Sequence, residues 1–113
     1  MTINIPTLNY TFSDENSLYL AYMPFIKDSG IFIRTKAFYP LGSLVNLVLQ
    51  LLNDPEPYFI EGKIVWITPK GSLGNKPVGI GVQFIGDNSQ FVRNRIETNI
   101  AHMLKSSQTT DTI

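Results

Sequence analysis

The sequence predicts a small, mainly β fold: an antiparallel six-stranded barrel with a C-terminal α-helix. Three observations carry this. Short runs of alternating or β-branched apolar residues recur between clusters of Gly, Pro, Asn and Asp, which is the pattern of strands joined by turns. Aromatic residues make up 12% of the 113 residues, a composition that suits strands better than a helical bundle. One segment near the C-terminus has helical spacing, with Val92, Ile96, Ile100 and Met103/Leu104 recurring on one face.

In chain order, residues 1–17 are polar and mixed and read as a flexible leader, with a short extended piece at Asn9–Phe12. Leu18–Phe25 (LYLAYMPF) reads as the first strand and ends at Pro24, which cannot donate a ladder hydrogen bond. Lys27–Gly30 has turn chemistry, and Ile31–Thr35 is a short β-branched strand. Leu44–Leu52 is almost wholly apolar. Periodicity alone fits a buried helix turn or a strand, and the flanking Gly42 and Asp54–Pro57 favour the strand. Tyr58–Thr68 alternates, with Ile60, Gly62, Ile64 and Trp66 on one face and Glu61, Lys63, Val65 and Ile67 on the other. A Gly/Pro-rich loop over residues 69–77 leads to Val78–Phe84. There Val78, Ile80, Val82 and Phe84 point inward, and Gly79 and Gly81 leave the other face bare. Asp87 or Asn88 is placed to cap the final helix, with Gln90 completing a capping-box pattern after Asp87. One domain is expected over residues 18–105, followed by a flexible hydroxyl-rich tail over 106–113.

Composition excludes several functions. Nine basic residues balance nine acidic ones, so no excess of positive charge is present to neutralise nucleic-acid phosphates. Cysteine is absent, which removes disulfides, thiolate catalysis and Cys-based zinc sites. His102 is the only histidine and lacks a base-and-orienter partner in sequence, and no serine sits in a nucleophile elbow. No metal-loop pattern occurs, so neither a metal nor any other cofactor is expected, and no enzyme activity. Residues 71–76 (GSLGNK) have the wrong glycine spacing for a phosphate loop, and Gly79–Ile80–Gly81 is not a dinucleotide fingerprint. The N-terminal MTINIPTLNYTF has no basic start before an apolar core, and no apolar run reaches membrane-spanning length; a cytoplasmic location is expected. Charged residues are only 16%, and a surface so poor in charge is suited to being covered by a partner.

Several stretches carry a family resemblance. They are Ala21–Phe25, Gly30–Ile33, Gly62–Gly71, Gly74–Pro77, the Gly79–Phe84 strand and the helix start Arg93–Thr98. Over Leu18–Leu104 the chain resembles the PilZ domain family, and within it the members that serve type IV pilus biogenesis. Ligand-binding PilZ domains carry an Arg-Xaa-Xaa-Xaa-Arg motif before the barrel and an Asp/Asn-Xaa-Ser-Xaa-Xaa-Gly motif within it. Guanidinium groups of the first grip the phosphates of cyclic di-GMP and stack on guanine. This sequence has no arginine before Arg34, and Lys27–Gly30 (KDSG) keeps an Asp, a Ser and a Gly at compressed spacing. The resemblance therefore implies a non-enzymatic adaptor that does not bind cyclic di-GMP. The partners it implies are a PilB-like pilus extension ATPase and a FimX-like cyclic-di-GMP receptor carrying an EAL domain.

Exposed aromatic residues are the expected contact groups, because Tyr and Trp tolerate partial hydration at interfaces. The candidates are Tyr22, Met23, Pro24 and Phe25 at the proline-marked strand edge, Trp66 with the bare Gly79/Gly81 face, and Thr110, Thr112 and Ile113 in the tail. Tyr22→Ala is expected to weaken partner binding while leaving thermal stability nearly unchanged. The competing reading is a cyclic-di-GMP sensor with an atypical site at Lys27, Ser29 and Arg34. A third is a small barrel that binds peptide at a strand edge.

Overall fold

Eight elements follow one another in a computed structural model that describes residues 5–52, 54–68 and 78–101. They are β1 (Thr7–Phe12), α1 (Glu15–Ala21), β2 (Tyr22–Met23), β3 (Gly30–Arg34), β4 (Leu44–Leu51), β5 (Tyr58–Ile67), β6 (Gly79–Ile85) and α2 (Ser89–Asn99). All six strands form one sheet in the order β1-β4-β5-β6-β3-β2. It curls as a half-barrel, and Val92, Ile96 and Ile100 at its end seal the interior with no exposed area. The mainly β architecture with a C-terminal helix is the one the sequence predicts. Only β1 departs from the antiparallel pattern: it pairs parallel with β4, Thr7 to Asn46 through Phe12 to Leu51.

Alternation explains the central strands. In β4, Val45, Leu47, Leu49 and Leu51 are buried while Asn46, Val48 and Gln50 lie on the outer side. In β5, Ile60, Gly62 and Ile64 face in and Phe59, Glu61 and Lys63 face out. In β6, Ile80, Val82 and Phe84 complete the interior.

The first part of the chain differs from expectation. The segment read as a leader contains β1, whose Phe12 is buried and whose Leu8 and Tyr10 pack against the core. The strand expected over Leu18–Phe25 is instead a helix followed by a two-residue strand. Asp14 explains the change: its Oδ1 accepts from the Ser17 backbone N–H at 2.7 Å, which satisfies a donor the first turn leaves free. Glu15 adds negative charge where the helix dipole favours it. Leu18 and Ala21 then fall three apart on the buried side, and Leu20 points to solvent. The run LYLAY fits both periods, and the cap selects the helical one.

Three further expectations change. A register shift between Ile64 and Trp66 inserts one extra residue into β5, so Trp66 leaves the Ile60–Gly62–Ile64 face and turns outward. Val78, expected inward, is exposed just before β6. At α2 the N-cap is Asn88, but its side chain makes no capping hydrogen bond. Its Nδ2 donates to the Phe59 carbonyl and ties the helix to β5. The expected loop over 69–77, His102, Met103/Leu104 and the tail lie outside the described residues.

Candidate protein-interaction surface

The β2–β3 turn brings the first candidates into place. Asp28 and Ser29 both adopt positive φ, 62° and 67°, an uncommon backbone for residues with side chains. That conformation turns Ser29 into the interior, where it is 2% exposed. Its Oγ lies 3.2 Å from the Tyr22 hydroxyl. Tyr22 is itself buried and donates to Glu97 Oε2 of α2 at 2.5 Å. Glu97 also holds Arg93 Nε at 3.4 Å. Burial pushes the Tyr22 hydroxyl up to about 12, and the Glu97 carboxylate adds to the rise. Tyr22 is thus a core residue that locks β2 to α2, and it is not available as an exposed contact. Met23 is half-buried, Pro24 is exposed, and Phe25 is 79% exposed.

The Gly79/Gly81 face is covered. A Cβ on Gly81 would lie 2.8 Å from Trp66 Cβ and 3.3 Å from Met23 Sδ. A Cβ on Gly79 would meet the Phe32 ring and the Ile33 carbonyl. The glycines therefore make room for side chains on the outer side of the sheet, and Trp66, Met23 and Phe32 occupy it. Trp66 keeps 46% of its surface exposed. The structure brings Met23 and Trp66 together and leaves Phe25 protruding after β2. Thr110, Thr112 and Ile113 fall outside the described residues.

A polar clasp was not foreseen. Asp54, at the turn after β4, accepts from Tyr58 Oη at 2.7 Å, Arg95 Nη2 at 3.2 Å and Asn99 Nδ2 at 3.4 Å. Burial raises its carboxyl pKa, but the donors outweigh that and hold it below the usual carboxylate value. The sequence signal was present in the Asp-Pro-Glu-Pro turn, which was read only as a break. The helical spacing of Arg95 and Asn99, four apart, is the other half of it.

These contacts bear on nucleotide binding. Of the three arginines, Arg93 and Arg95 are engaged by Glu97 and Asp54. Ser29 is buried with its hydroxyl beside Tyr22, and Lys27 and Arg34 flank opposite ends of β3. The structure does not gather Lys27, Ser29 and Arg34 into one site. Among the described residues no group of His, Cys, Asp and Glu is placed to hold a metal, and no helix is long and apolar enough to cross a membrane.

Comparison with known proteins agrees with this architecture. A family model described as PilZ domain matches residues 6–102. That match includes β1. No match is found among curated proteins.

Proposed function

We propose a function from a plain premise: the chain belongs to the PilZ domain family. Such domains are binding or adaptor modules linked to cyclic-di-GMP signalling. On our reading this one is a non-enzymatic, cytoplasmic adaptor for type IV pilus biogenesis. It contacts a PilB-like extension ATPase, and a FimX-like receptor supplies the link to cyclic di-GMP without nucleotide binding by this chain. The supporting observation is the outer surface made by Trp66 and Met23, with Phe25 protruding near it, on a domain whose Arg93 and Arg95 are committed to carboxylates. Large, half-exposed aromatic groups are the usual anchors of protein interfaces.

The test is a tagged pull-down from native cytosol with mass spectrometry of proteins and retained nucleotides, repeated with Trp66→Ala and Phe25→Ala. The adaptor reading expects the extension ATPase with the wild-type chain and its loss with the variants. Saturable calorimetric binding of cyclic di-GMP at micromolar concentration would overturn it in favour of a sensor.

A further inference from the structure

The opposite end of β5 carries a second exposed apolar surface of different chemistry. Phe59 is 63% exposed and Phe91, on the first turns of α2, is 53% exposed. Tyr58 stacks obliquely against Phe91 with ring centroids 5.9 Å apart. Phe59 stands between two hollows. One, about 440 Å³, reaches along the outer face past Asn46 and Val48 to Glu61 and Asp87. The other, about 340 Å³, is bounded by Pro55, Glu56, Pro57 and Phe91. The Asn88 side chain fixes the Phe59 carbonyl, so the ridge is braced by α2.

The charge around this ridge has one sign. Glu56, Glu61 and Asp87 are exposed and line the two hollows, and among the described residues no lysine or arginine does. Arg95 nearby is held by Asp54, and Lys63 lies two positions along β5 beyond Glu61, outside both hollows. An apolar ridge rimmed by carboxylates complements a segment that carries apolar side chains between cations. We infer that the Phe59–Phe91 face docks a basic, amphipathic segment of a partner protein, with its apolar side chains seated on either side of Phe59 and its Lys or Arg groups against Glu56, Glu61 and Asp87. Phe59 and Trp66 are seven residues apart on one strand, roughly 23 Å. The site is therefore separate from the Trp66 surface and does not depend on the pilus assignment.

The experiment uses the full chain and two synthetic amphipathic helices, one of Leu and Lys and one of Leu and Glu, followed by fluorescence anisotropy. The Leu/Lys peptide is expected to bind, and the Leu/Glu peptide not to. Phe59→Ser should weaken the Leu/Lys peptide roughly tenfold or more, as loss of an interface anchor does. The triple variant Glu56→Gln, Glu61→Gln, Asp87→Asn should weaken it and flatten its salt dependence. Phe38→Ser, at an exposed position that lines neither hollow, should leave it unchanged. The exposed positions of all these residues keep the variants folded, and a far-UV circular dichroism spectrum checks that. Should Phe59→Ser lose its fold, the triple variant alone decides. Equal binding of both peptides, no binding, or insensitivity to both variants overturns the inference. So does concentration-dependent self-association that Phe59→Ser abolishes, since the occupant is then a second copy.

Discussion

Tyr22 and Trp66 are both aromatic residues in the part of the chain where contact groups were expected, and the fold treats them in opposite ways. Alternation grouped Trp66 on one face with Ile60, Gly62 and Ile64, although it was also a candidate contact, and Pro24 placed Tyr22 at an exposed strand edge. In the structure Tyr22 is 6% exposed and hydrogen-bonded to Glu97, while Trp66 is 46% exposed. Two small backbone events make the difference. Capping by Asp14 winds residues 15–21 into α1, so Tyr22 leaves the helix pointing inward. The bulge after Ile64 reverses the side on which Trp66 emerges. A one-residue offset in a strand moves a side chain from one face to the other, so a local irregularity outweighs the identity of the residue it moves.

The largest expected effect tests the Tyr22 half of this contrast. Tyr22→Ala should cost about 3–5 kcal/mol of stability in chemical denaturation, as loss of a buried aromatic does. An unchanged midpoint would return Tyr22 to the surface. Tyr22→Phe keeps the ring but strands the buried Ser29 hydroxyl and removes a donor to the half-buried Glu97, with an expected cost of about 1–3 kcal/mol. The same residue has a pH signature. Its folded pKa lies above the ordinary tyrosine value, at about 12, so its contribution is complete below about pH 10 and is lost as pH rises through about 12. Alkaline unfolding followed by tyrosinate absorbance should show that loss in the wild type and not in Tyr22→Phe.

Gly81→Ala probes the other half. The added methyl would crowd Trp66 Cβ at 2.8 Å and should cost about 1–3 kcal/mol while shifting the tryptophan emission. A silent substitution would mean that Trp66 is not seated on Gly81. Trp66→Ala itself is expected to change stability least, within about 1 kcal/mol by thermal melting, because nearly half the side chain already meets water. Its effect should fall on partner binding. A large loss of stability there would place Trp66 in the core.

Much of the fold was legible because burial imposes a period of two on a strand that faces the interior on one side. Tyr58–Ile64 and Ile80–Phe84 repeat it clearly, while the nearly all-apolar Leu44–Leu51 was legible from the turn residues that flank it. The stripe Val92, Ile96, Ile100 was legible for the same reason at the helical period. What was misread had an ambiguous period, as in Leu18–Tyr22, or no turn signal beside it. Residues 7–12 alternate Leu8, Tyr10 and Phe12 with polar residues, but a strand that pairs parallel with a distant β4 has no turn signal beside it to announce the pairing. The Asp54 clasp joins residues some forty positions apart, a contact that spacing along the chain cannot display.

By itself, the sequence determined which segments must leave water, and hence the β class, the central strands and the final helix, since apolar periodicity is a local record of burial. Tertiary structure alone decided which aromatic residues face out, which glycines are covered and which arginines are held. Those outcomes depend on caps, bulges and partners brought together from distant parts of the chain. Each changes the direction of a side chain without changing the hydrophobic pattern that places its strand.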